Sequence, residues 1–287
     1  VKIDSPFTDD LDLISQRLFS LTTNGGTELV ARVLNTAGKE LDWSAGDDVL
    51  KIMIVAGNET ADQDTLMSYR DVCKAAISRS IMVNSFYCGN MDDEIAAGWR
   101  EVATLADGKF AAIDHNNGTV VIATPYDDEL ARLSTAINGT YLAYGARGGA
   151  GAGNQIAQDG NARDMGPAVA AQRCETKASA MYCNGSWDLV DAAKQADFKL
   201  EDIQDADLPE AMRGKTLDEK RAMIDEMGAK WAEIQKQVAD ISAKRAEFVS
   251  AEMLKRAEGD KNSFDAAIRK AIRDQATSKG FMFDDGC

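Results

Sequence analysis

"KIMIVAGNE" occupies residues 51–59. Four apolar side chains, Ile52, Met53, Ile54 and Val55, run without a break and stop at Ala56-Gly57-Asn58-Glu59. An apolar run of this length, ended by turn residues, reads as a buried strand. In a sheet covered by helices, the end of such a strand is where binding chemistry sits. Its neighbours therefore decide the fold.

Upstream, Leu11, Leu13, Ile14, Leu18 and Leu21 recur at helical spacing, and "TTNGG" breaks that helix. Thr27 is expected to cap a second helix, with Leu29, Val30, Val33 and Leu34 on one face. Downstream, 66–79 is periodic through Met67, Tyr69, Val72, Cys73, Ala76 and Ile77. "IMVNSFYC" (81–88) then reads as a strand, 94–106 as a helix, and "KFAAID" as a short strand. A further helical stretch covers 127–138. Helix and strand alternate over 24–115, which predicts an α/β fold with a mostly parallel sheet flanked by helices. The loops after Val55, Tyr87 and Ile113 then fall on one edge of the sheet.

The pattern changes after residue 145. "GARGGAGAGNQIAQDGNARDMG" is rich in small residues, so 146–185 reads as a linker or a small-residue helix. Its Gly-x-Gly follows no strong strand, which argues against a dinucleotide site. Residues 186–287 read as helical. Ser186 is a candidate cap for "WDLVDAAKQ". Thr216 and Glu219 form a capping box at the start of a long helix over 217–257. Ile224, Met227, Trp231, Ile234, Val238, Ile241 and Phe248 follow as a coiled-coil-like seam that Arg245 interrupts. A shorter helix over 263–277 is expected to fold back on the long one as a helical hairpin. The domains are then 1–145, α/β; 146–185, connecting; and 186–287, helical extension.

The chain carries 32 basic and 47 acidic side chains, a net charge of −15. That balance repels nucleic-acid phosphates and anionic lipid and favours cations or basic partners. No apolar run reaches the roughly 20 residues of a bilayer span. The sequence opens on Val1, which fits a mature form, an excised piece or a truncated frame. Five cysteines and one histidine show no zinc spacing. On a helix and the next strand, Cys73 would rise about 9 Å from their shared turn and Cys88 about 23 Å. Free thiols are the expectation there, since a disulfide needs Cα atoms within about 7 Å. Cys174 and Cys183 can pair only across a turn.

No nucleophile–base arrangement stands out. His115 beside Asp114, with the loop acids Asp62 and Asp64, is the one hydrolase candidate. The acids Asp92, Asp93 and Glu94 lie where they complement a helix dipole. The more informative pair is "NGGTE" (24–28) with "VAGNE" (55–59). Thr27, Asn58 and Glu59 offer oxygens on the same expected rim, and Mg²⁺ or Ca²⁺ take oxygen ligands. Thr27 as a cap and Asn58 as a turn former account for the same residues without a metal.

The stretches "NGGTELVARVLN", "LDWSAGDDVLKIMIVAGNE", "YRDVCKAAISRSIMVNSFYCGN" and "GWREVATLADGKFAAID" follow one another in an order that resembles the von Willebrand factor A (vWA) domain, in a bacterial variety with a helical C-terminal extension. The resemblance covers about residues 1–145. It implies a vWA-like, Rossmann-type sheet and a protein-interaction or adhesion role. It also implies a metal-ion-dependent adhesion site built from three loops. Thr27 matches the second loop, and Ala56 stands where the third loop has Asp. "DSPFT" (4–8) does not match the first loop. Val1–Ile3 looks like the end of a strand that follows two strands supplied upstream. The resemblance thus implies a degraded or absent metal site, completed by Mg²⁺ or Ca²⁺ only if upstream residues contribute. It also leans towards an extracytoplasmic location. Two other functions stay open: a helical oligomerisation protein, self-associating through its seam, and a hydrolase using the loop acids.

Overall fold

The computed structural model describes residues 1–22, 26–46, 48–113, 122–256 and 264–283. They gather into two compact units: residues 1–7, 22–120 and 256–287 form the first, and 8–21 with 121–255 form the second. Helix α1 (Leu11–Phe19) goes with the second unit. Elements α2 (Val30–Glu40), β1 (Lys51–Gly57), α3 (Tyr69–Ile77), β2 (Ile81–Tyr87), α4 (Ala96–Leu105) and β3 (Phe110–Ala112) build the first. The second unit continues through α5 (Asp127–Asn138), α6 (Gly148–Asp164), α7 (Pro167–Lys177), the short α8 (Leu189–Ala192) and the long α9 (Leu217–Arg256). Helix α10 (Phe264–Ser278) returns to the first.

Among the described residues the sheet has three strands, all parallel, in the order β1-β2-β3. Lys51 pairs with Ile81 and Gly57 with Tyr87, so β1 and β2 run in register along their whole length. Side chains alternate across a strand. The odd-numbered Met53, Val55, Ile81, Val83 and Tyr87 enter one core with Val30, Ala31 and Leu34 of α2, Tyr69, Val72 and Cys73 of α3, and Trp99 and Val102 of α4. The even-numbered Asn84 faces the other way and exchanges two hydrogen bonds with Gln275 of α10, at 3.0 and 2.8 Å. One face of the sheet therefore carries α2, α3 and α4, while α10 lies against β2 and β3 on the other. Gly108 makes the tight entry to β3 possible: an added Cβ would stand 1.8 Å from the Val83 carbonyl oxygen.

The α/β expectation holds at this level. Several finer expectations do not. Val1–Ile3 is exposed and belongs to no strand. Thr27 does not cap α2. That helix begins at Val30, its capping position is Leu29, and no side chain caps it, because Glu28 is drawn instead to the end of β1. The cap of α8 is Asp188, which accepts the Asp191 N–H, and not Ser186. Helix α10, expected as the second arm of a hairpin, meets the sheet through Gln275, and the seam of α9 packs on α5 and α7. Cys73, Cys88, Cys174 and Cys183 are free thiols.

In the second unit, Val238 of α9, with Trp231, Ile234 and Ile241 beside it, packs on Leu130, Leu133 and Ile137 of α5 and Ala171 and Cys174 of α7. Ile224 joins Leu189, Leu200, Leu208 and Met212 in a second cluster. The capping box forms as expected: Glu219 accepts the Thr216 N–H at 2.8 Å, and the Thr216 hydroxyl accepts the Glu219 N–H at 3.3 Å. Residues 148–177 are two helices. Gly151 lets α6 approach the indole of Trp187, which an added Cβ would meet at 2.5 Å. Buried charges lock this unit. Lys177, fully buried, donates to Asp159 at 2.7 Å, Asn138 at 2.6 Å and Ser134 at 2.9 Å. Arg173 bridges Asp159 and Asp12, and the Tyr182 hydroxyl donates to Asp12 at 2.6 Å. Asp12 thereby pins α1 to α7. Two buried cations face two buried anions, so the cluster is balanced.

Candidate binding rim at the carboxyl end of the sheet

The loops that leave β1 and β2 lie at the carboxyl ends of parallel strands, together with the approach to α2. Glu28 organises this rim. Its carboxylate accepts the N–H groups of Asn58 and Glu59, both at 3.1 Å, and its own N–H donates to Gln63 Oε1 at 2.6 Å. Gly57 is required beneath it. An added Cβ there would stand 2.1 Å from Glu28 Oε2 and 2.8 Å from the Trp99 ring. Trp99 in turn donates its indole N–H to the Glu59 carbonyl at 2.8 Å, so the loop is held to α4. Two backbone N–H groups at a strand end make a corner that suits an anionic oxygen. The chain supplies that oxygen itself.

Further along, Asp64 is buried and takes a two-point contact from Arg32, at 2.9 and 3.1 Å, with the Leu66 N–H at 3.0 Å. The guanidinium holds the Asp64 carboxyl below the usual range against its burial. Arg70 forks between Asp62 and Glu101, and the Tyr69 hydroxyl donates to Glu101 at 2.7 Å. On the β2 side, the Tyr87 hydroxyl donates to Asp93 at 2.9 Å and the Asn90 N–H to the same carboxylate at 3.2 Å. Burial raises the Tyr87 hydroxyl, and the Asp93 bond adds to it. Burial also raises the Cys88 thiol, with Glu28 nearby, so that thiol is a poor nucleophile.

Of the sequence-expected residues, Asn58 and Glu59 meet the carboxylate of Glu28, the residue that follows Thr27. What joins their stretches is a carboxylate held by backbone amides, through Glu28. Thr27, Asn58 and Glu59 are exposed. Among the described residues no three His, Cys, Asp or Glu side chains stand as a metal-ligand set. Mg²⁺ or Ca²⁺ would need oxygens converging from several side chains, whereas the contacts that join Asn58 and Glu59 to Glu28 run through their backbone N–H groups. Asp114 and His115 lie outside the described residues. Asp62 and Asp64 of the hydrolase candidate are each bound to an arginine.

Glu28, Gln63, Trp99 and Asp93 carry the rim, and sequence reading did not single them out for it. The acid just ahead of a helix and one residue past Thr27 was the available signal for Glu28. The rim also exposes apolar side chains: Leu66 is 82% exposed, Met91 49% and Ile95 36%. Comparison with protein-family models, with curated proteins and with solved structures finds no match.

Proposed function

We propose that the chain is a protein-binding module of the vWA kind, and that its rim engages a protein partner without a metal ion. The observation that carries this reading is the exposure of Leu66, Met91 and Ile95 on loops braced from beneath. Trp99, Asp64 and Tyr87 tie those loops to the core. Exposed apolar groups held on a fixed frame cost little ordering entropy on binding. Exposed acids at Glu59, Asp62 and Asp92 surround them, so the partner surface is basic with an apolar centre. Three parallel strands in sequential order support the vWA reading of the fold. In the second unit the seam of α9 packs on α5 and α7, which favours a module over an oligomer built on that seam.

The test is capture of partners on the immobilised full chain, in calcium and in chelator, beside a Leu66→Glu, Met91→Glu variant. The proposal expects a partner retained in chelator and lost with the variant. A partner held only in calcium, or held equally by the variant, would overturn it.

A further inference from the structure

Among the described residues, strand β1 is an outer strand of the sheet. One contact fixes which way its backbone points: the Cys88 N–H donates to the Gly57 carbonyl at 2.7 Å. Along a strand, successive residues turn their N–H and C=O to opposite sides. Lys51, Met53, Val55 and Gly57 therefore turn theirs toward β2. Ile52, Ile54 and Ala56 turn theirs outward, and among the described residues no strand flanks them. Three donors and three acceptors stand in a row, repeating about every 6.6 Å.

Natural sheets guard such edges with lysine, proline, a bulge or a cover. Among the described residues none of these stands at the outward positions, and the strand's one lysine, Lys51, is buried. The adjoining face is open as well. Over β2 the even-numbered Met82 and Asn84 are buried, Asn84 against Gln275 of α10, but Ile54 is 56% exposed and Ala56 is exposed. Asp42 and Asp48 before the strand and Glu59 after it are exposed acids.

We infer that the β1 edge receives an extended peptide segment of a partner protein, added as an outer strand, with alternate apolar side chains and basic residues at its ends. The backbone row selects an extended chain, because only a strand matches donors and acceptors at this spacing. The flanking acids select basic ends. They also select against a second copy. Antiparallel pairing about Ile54 would set Asp48 opposite Thr60 of the other chain, one position from its Glu59, and each chain carries −15. Glu59 borders the rim as well, but the outward backbone row of Ile52, Ile54 and Ala56 does not depend on the rim's apolar side chains, so the inference stands without that reading.

The probe is a synthetic ten-residue peptide of alternating valine and threonine with two lysines at each end, added to the full chain. In the free chain the amides of Ile54 and Ala56 should exchange at least about a hundredfold faster than those of Met53 and Val55. Peptide should slow the first pair at least about tenfold and leave the second pair unchanged. N-methylation of alternate peptide amides should abolish this protection on one edge of the peptide only. Ile54→Lys, on an exposed side chain, should weaken binding at least about tenfold without changing the melting temperature. Any of three results overturns the inference: protection of Ile54 and Ala56 in the free monomer, a sedimenting dimer protected at those amides, or no protection by the plain peptide. Leu66→Glu should not affect this readout, so failure here and failure of the rim are separable.

Discussion

Glu28 replaces two water contacts at once, since the Asn58 and Glu59 amides both end on its carboxylate. The pair is close to solvent, so the net worth of the contact is about 1 kcal/mol. Glu28→Ala should therefore cost little in melting temperature, yet the Asn58 and Glu59 amides should exchange several-fold faster. Unchanged exchange at those two positions would show the carboxylate is not what orders the loop. Asp188 makes a second residue-scale case, with the opposite sign to most carboxylates. It accepts N–H bonds from Leu142 at 2.6 Å and Asp191 at 2.9 Å, but burial dominates and raises it to about 6. Its folded value lies above its unfolded one, so the fold prefers the protonated form. The stability this confers is full below about pH 4 and is lost as pH rises through about 6, a change of about 3 kcal/mol. Denaturant midpoints at pH 5 and pH 7.5 should fall with pH in the native chain and differ less in Asp188→Asn. Neither behaviour was legible from sequence. Glu28 acts across 30 residues, and the burial of Asp188 comes from packing that local pattern does not encode.

Arg245 interrupts the apolar seam of α9, and the reason lies on another helix. Its guanidinium meets Asp127 at 2.9 Å, both groups are buried, and Glu175 stands 3.9 Å away. Asp127 is the first residue of α5. Burial pushes its carboxyl up, but the Thr124 amide and hydroxyl and Arg245 together pull it below the usual range. Removing one partner strands the other charge, so Arg245→Met should destabilise by about 3–5 kcal/mol. Pairing it with Asp127→Leu should restore most of that loss. A double-mutant cycle by urea unfolding reads the coupling, and strict additivity would show the pair is not an interaction. The contrast between elements explains what the sequence could disclose. β1 was readable because its apolar run is continuous, and the Thr216–Glu219 box because both halves lie within one turn. The partner of α10 was not, since Gln275 and Asn84 lie 191 residues apart. The glycine-rich α6 was readable only as linker or helix. Its helix stands against intrinsic propensity, held by the buried Gln155, Gln158 and Asp159 and by the Gly151–Trp187 approach.

The sheet core and the helical cores share no residue. Trp99, Tyr69, Ile81 and Val83 centre the first, and Leu130, Leu133, Ile137 and Cys174 the second. Chain order does not follow that division, because residues 8–21 and 256–287 each join the unit that is not their neighbour in sequence. A domain boundary drawn at one point in the sequence therefore cannot separate them. Charge pairing explains the first exchange, since Asp12 finds its cation on Arg173, 161 residues away. Separate cores of this kind break simple two-state unfolding. Calorimetry of the full chain should show two transitions, or one that needs two components to fit. Trp99→Ala, which empties a fully buried indole site, should cost about 3–5 kcal/mol and lower one transition. Leu133→Ala should cost about 2–5 kcal/mol and lower the other. If both substitutions shift a single sharp transition equally, with matched calorimetric and van't Hoff enthalpies, the two units fold as one cooperative body and the division by contacts carries no energetic meaning.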